Sequence, residues 1–209
     1  VVRAHAIHQP SLTALSRQVG RHISRPLGPQ AKESWWAATH GAAASPILCE
    51  SFQVWALGTV AMRAVREGLA GMHTGQRLIE YAENTRYWHH QIRSDGVAAV
   101  GFAESLCEIS KAGRERWRVK SVTFSPIAGA IDAAIKRIDR LTDLEEDDLV
   151  RLLIVPGMGL YAFWLESTDT DRILVASSYT NVALSLRRPY HWYAFLRALA
   201  RSNRAPPGG

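Results

Sequence analysis

The stretch Ser45-Pro46-Ile47-Leu48-Cys49-Glu50-Ser51-Phe52-Gln53-Val54-Trp55-Ala56-Leu57 decides how the whole chain is read. Serine followed by proline is a helix-start signal, because the hydroxyl caps free amides and proline suits the first helical position. At helical spacing Leu48, Phe52, Trp55, Thr59 and Met62 share one face, and Ile47, Val54, Leu57, Ala61 and Val65 share another. Apolar on both, the segment predicts a central buried helix that ends near Gly68 and Gly71. Residues 75–93 predict a second helix, with Leu78, Ala82, Thr85, Trp88 or His89, and Ile92 turned inward and Ser94-Asp95-Gly96 as its stop.

Beyond that turn the period shortens to two. Phe102 to Ile109 and Arg116 to Phe124 read as a hairpin, with Glu104 and Glu108 placed to pair across strands with Arg116, Arg118 or Lys120. Ser125-Pro126 opens a helix striped by Ile127, Ile131, Ala134, Ile135, Ile138 and Leu141. Three strands follow, at Leu149 to Val155, Leu160 to Glu166 and Arg172 to Ser177, joined by turns short enough for an antiparallel meander. A last helix, about Tyr190 to Arg201, buries Trp192, Phe195, Leu196 and Leu199. This order predicts an α+β fold: a mostly antiparallel sheet of about five strands, a hairpin plus a meander, packed with an N-terminal helical half and a C-terminal helix.

Toward the N-terminus, Leu12, Leu15, Val19 and Ile23 lie on one helical face until Pro26, Gly28 and Pro29 interrupt it. The expected organisation is a basic helical arm and linker over 1–31, a single α+β domain over 32–201 and a disordered tail over 202–209. With 209 residues, 47% of them hydrophobic, the chain has enough apolar surface for a core, which excludes a wholly disordered protein. Two cysteines exclude a disulfide scaffold and point to a reduced, cytoplasmic setting. The longest apolar run, Phe52 to Met62, falls short of the roughly 18 to 20 residues that cross a bilayer, so no transmembrane segment is expected.

The net charge of +6 is unevenly spread. Residues 1–31 carry +4 and residues 187–209 carry +5, both without an acid, whereas 32–186 hold 16 bases and 19 acids and sum to −3. Charge-driven binding therefore belongs to the ends: Arg17, Arg21 and Arg25 on the arm, and Arg187, Arg188, Arg197 and Arg201 near the C-terminus, with Tyr190 and Tyr193 among them. Trp35 and Trp36 follow the linker and add aromatic contact area of the kind enriched at interfaces. Removing the two ends is expected to abolish partner binding and leave the fold of the middle mostly intact.

Candidate catalytic groups are few. Cys49, in the first turn of the expected buried helix, is placed for thiolate stabilisation by a helix N-terminus, as a cysteine hydrolase requires. Glu83, Tyr87 and His90 at i, i+4 and i+7 form a helical strip pairing a carboxylate with an imidazole for acid–base work. Each has a plainer alternative, since free cysteine is commonly buried and a polar strip is what an amphipathic helix shows to water. The pairs His5/His8 and His89/His90 lack a third ligand, and phosphate-loop, dinucleotide, nucleophile-elbow and zinc-helix motifs are absent, so no metal or cofactor is expected. The resulting reading is a non-catalytic interaction or assembly module that binds a protein subunit, another copy of itself or an acidic macromolecule through basic termini and exposed aromatics. A hydrolase using Cys49 or Glu83 with His90 is the first alternative, and a nucleic-acid-binding protein is the second.

Overall fold

The computed structural model describes residues 9–24, 46–69, 72–73, 75–94, 99–145, 148–178 and 184–204. Among them run α1 (Gln9–Ser24), β1 (Pro46–Leu57), α2 (Thr59–Arg66), a 3-10 turn (Leu78–Glu80) and β2 (Ala82–Ser94). Then come β3 (Gly101–Ile109), β4 (Glu115–Thr123), α3 (Pro126–Ile138), β5 (Leu149–Val155), β6 (Leu160–Glu166), β7 (Asp171–Ser178), β8 (Tyr190–His191) and α4 (Trp192–Arg204). The eight strands are hydrogen-bonded in the order β4-β3-β2-β1-β5-β6-β7-β8. β1 and β5 run parallel, while β2–β3, β3–β4, β5–β6, β6–β7 and β7–β8 are antiparallel.

The α+β class stands, but the expected five-stranded, mostly antiparallel sheet gives way to an eight-stranded mixed one. The difference lies in the two segments read as helices. β1 is an interior strand of the sheet, buried or half-buried from Leu48 to Leu57. Such a strand is apolar at consecutive residues, and any continuous apolar run satisfies the i, i+3, i+4 template. Pro46 fits the new role, because the first residue of a strand also tolerates a missing amide hydrogen. Helix is confined to Thr59–Arg66, after Gly58. In β2, Thr85, Tyr87, Trp88 and Ile92 are β-favouring types, and His89, His90, Gln91 and Ile92 are all buried, which no single helical face would allow.

The described residues form two compact units, one drawn from 9–53 and 86–133, the other from 54–85 and 134–204. In the first, Leu15 and Val19 of α1 join Ile92, Ala103 and Val119 in a buried cluster. Burying one such side chain stabilises by roughly 1.5–3 kcal/mol. Removing the arm therefore removes core, so its deletion should destabilise the middle of the chain and not leave that fold intact. The α1 side chain of Gln18 also serves the sheet edge: its amide donates to the Trp117 carbonyl and its carbonyl accepts the Val119 N–H, both at 3.0 Å. β4 is an edge strand, and these two bonds occupy backbone groups otherwise open to a foreign strand. Gln18→Leu is expected to cost about 1–3 kcal/mol and to promote self-association, checked by urea unfolding and light scattering. Across the β3–β4 hairpin Glu108 faces Arg116 as expected, but an irregularity at Glu104/Ser105 sets Glu104 opposite Ser121, whose hydroxyl donates to it at 2.8 Å.

In the second unit Ala61, Ala64 and Val65 of α2 and Trp192, Phe195, Leu196 and Leu199 of α4 pack with Leu153, Val155, Leu160, Ala162, Trp164, Ile173 and Val175 of the strands. One buried carboxylate organises the side of this core. Asp171 accepts two hydrogen bonds from the Arg77 guanidinium (2.9 and 3.0 Å), one from the Leu78 amide (2.8 Å) and one from the Trp164 indole (2.9 Å). Burial alone would push this carboxyl up; the bonds from Arg77, Trp164 and Leu78 outweigh it and hold it below the usual carboxylate range.

Candidate functional site

Arg197 and Arg201 are placed by the packing of α4. Trp192, Phe195, Leu196 and Leu199 are spaced at three and four residues and are at most 1% exposed, so the helix turns its other face outward. Arg197 and Arg201, one turn apart, stand exposed on that face. Together with Gly68, Leu69 and Ala200 they line a depression of about 170 Å³. Leu69 has φ +68° and Gly68 φ +77°, a left-handed pair that ends the α2 segment. Among the described residues no carboxylate pairs with Arg197 or Arg201.

Arg187 and Arg188 are exposed on the bend before β8, beside the exposed Leu186. Arg137 anchors that bend by donating to the Leu186 carbonyl and, at 3.4 Å, to the Val175 carbonyl. The aromatic residues of this region turn inward instead. Trp192 is buried, Tyr81 stacks on it at 5.8 Å, and the half-buried Tyr193 meets it edge-on at 5.6 Å. The Tyr190 hydroxyl accepts the Ser185 N–H at 2.6 Å. Arg17 and Arg21 are exposed on α1, in the other unit. Arg25, Trp35 and Trp36 lie outside the described residues.

The catalytic candidates are not brought together. Cys49 lies in β1 and has no helix N-terminus behind it; its thiol points to the Ile47 carbonyl at 3.7 Å. Burial pushes the thiol up, against a smaller opposing effect of the Arg93 charge, so the thiolate is disfavoured. No imidazole of the described residues hydrogen-bonds it. Glu83 and His90 belong to one extended strand, where seven residues span about 20 Å and the helical convergence no longer exists. Tyr87 stays exposed on that strand. Glu83 is exposed and accepts the Thr59 N–H at 3.1 Å.

His90 is fully buried between two serines, with Nδ1 2.8 Å from Ser51 Oγ and Nε2 2.6 Å from Ser105 Oγ. Burial lowers its pKa to about 4, so the ring is neutral at pH 7, one nitrogen donating and the other accepting. Ser51 is 4% exposed and Ser105 fully buried, which denies a substrate access to this line. Neither serine stood out in the sequence; only the strand assignment of β1, β2 and β3 makes them neighbours of the ring. Among the described residues no three His, Cys, Asp or Glu side chains gather where they would hold a metal ion. No helix there is long and apolar enough to cross a membrane.

A second concavity went unseen in the sequence. Ala56, Leu57, Thr59, Met62, Arg66, Glu83, Pro156, Gly157 and Met158 line a cleft of about 420 Å³ at the carboxyl ends of β1 and β5. Gly58 leaves room for this arrangement: a Cβ there would lie 2.5 Å from Glu83 Oε1 and would push the carboxylate from its place at the Thr59 amide.

The chain matches no family model, no curated protein and no solved structure.

Proposed function

We propose that this protein is a non-catalytic binding module whose partner is an acidic protein surface, engaged by the exposed face of α4. The observation that carries the reading is the pair Arg197 and Arg201, exposed, free of ion pairs among the described residues and facing one shared depression. Two guanidiniums one helical turn apart match carboxylates by charge and by bidentate hydrogen bonding. Leu186, 42% exposed next to Arg187 and Arg188, adds the apolar contact that protein partners use. The Cys49 thiol, pushed up by its partial burial and without a hydrogen-bonded imidazole among the described residues, and the enclosed ring of His90 speak against the hydrolase alternative. Nucleic-acid binding is the weaker rival, because Trp192 is buried and the half-buried Tyr190 and Tyr193 pack against the core, which leaves less ring face on which a base would stack. A reducing, cytoplasmic setting belongs to the proposal, supported by the free thiols of Cys49 and Cys107.

The test is fluorescence anisotropy of a labelled oligoglutamate peptide, titrated at low and at physiological salt with the wild type and with Arg197→Glu/Arg201→Glu. The double reversal is expected to weaken binding by at least about tenfold, about 1.4 kcal/mol, with an unchanged melting curve. Equal affinity of the two proteins would overturn the reading. Tighter binding of an oligothymidylate than of oligoglutamate, with a steep salt dependence, would replace it with the nucleic-acid alternative.

A further inference from the structure

We propose that the cleft at the carboxyl ends of β1 and β5 binds a small zwitterion with an apolar body, of the class of apolar amino acids and dipeptides. Its position is the first argument. From β1 the chain moves to β2, β3 and β4 on one side of the strand order, and from β5 it moves to β6, β7 and β8 on the other. Where neighbouring parallel strands send their continuations in opposite directions, a crevice opens beyond their carboxyl ends, and this is the recurrent ligand position of open sheets. The volume, about 420 Å³, falls within the range of small-molecule sites.

The chemistry of the walls sets the ligand class. Glu83 is held in place: Oε1 takes the Thr59 amide, and Oε2 has no partner among the described residues. Arg66 lines the same cleft with its Nε donating to the Met62 carbonyl at 3.2 Å, and its terminal nitrogens have no partner among those residues. Acid and base thus share one cavity without pairing with each other. A ligand carrying an ammonium and a carboxylate satisfies both, the ammonium on Glu83 and the carboxylate on Arg66. Met62 and Met158 supply adaptable apolar contact for the body between the two charges.

Isothermal titration calorimetry with L-leucine, L-leucyl-L-leucine, pentylamine and isovalerate tests the proposal on the full chain. One or both zwitterions are expected to bind, and pentylamine and isovalerate to bind about tenfold more weakly or not at all. Glu83→Gln keeps an acceptor for the Thr59 amide and Arg66→Gln lies on an exposed helix face, so both variants should melt like the wild type while losing about tenfold in zwitterion affinity. Absence of binding by all four probes, equal binding of pentylamine and the zwitterions, or undiminished binding by both variants would overturn it. Since Arg197 and Arg201 do not line this cleft, Arg197→Glu/Arg201→Glu should leave the zwitterion titration unchanged.

Discussion

Lowering the pH from about 6.5 to about 4 is expected to remove several kcal/mol of folding stability, enough to threaten a domain whose total is about 5–15 kcal/mol. The source is the consecutive pair His89 and His90 in β2, 1% and 0% exposed. In the unfolded chain both imidazoles titrate near pH 6.5. In the folded protein burial lowers His90 to about 4, and burial together with the neighbouring His90 lowers His89 to about 3. Within that window the unfolded chain binds protons that the folded protein refuses. Stability is therefore full above about pH 6.5 and falls with pH by up to about 1.4 kcal/mol per unit for each histidine, levelling only below the folded values. Urea unfolding at half-unit steps from pH 7 to 4.5 checks this. His89 stacks on Phe102 at 4.5 Å with its Nε2 unpartnered, so His89→Phe should fold at pH 7 and roughly halve the slope. A wild-type midpoint that stays constant across the range would defeat the account.

Asp171→Ala is expected to destabilise the protein by about 3 kcal/mol, the low end for breaking a buried ion pair because Arg77 keeps 34% of its side-chain surface exposed. The substitution leaves three donor groups, the Arg77 guanidinium, the Leu78 amide and the Trp164 indole, without their common acceptor. Asp171→Asn should lie between wild type and alanine, since one amide oxygen still accepts while the amide nitrogen faces the guanidinium. The two effects separate by pH. The depressed carboxyl keeps its contribution above the ordinary carboxylate range and loses it as pH falls from there to its lower folded value, whereas the histidines act between about 6.5 and about 4. Denaturant midpoints of the three proteins at pH 7 decide it; a loss under about 1 kcal/mol for Asp171→Ala would mean that water replaces the carboxylate.

Elements with one wet face were legible from spacing. The hairpin, α1, α3 and α4 show a stripe or an alternation, and β5, β6 and β7, buried along most of their length, are marked instead by short apolar runs joined by turn residues; the structure places all of them where these signals do. β1 and β2 were not legible, because a strand of 12 or 13 residues with apolar groups at consecutive positions fits the helical template as well as the extended one, and no internal glycine or proline breaks either run. The error reached the chemistry: a helical frame sets Glu83 beside His90 and Cys49 at a helix start, and an extended one dissolves both arrangements. The exposure of Arg197 and Arg201 was legible, since the apolar face of α4 dictates which of its residues remain outside.

The sequence by itself determined the α+β class, the one-sided elements and the concentration of arginine at the chain ends, all of which follow from local period and composition. Only the tertiary structure decided that β1 and β5 lie side by side in parallel, that His90 sits between Ser51 and Ser105, and that Glu83 and Arg66 share a cleft. Those neighbours are 15 to 98 positions apart in the chain, and such pairings are chosen by which whole surfaces bury one another, a choice that no local pattern of residues encodes.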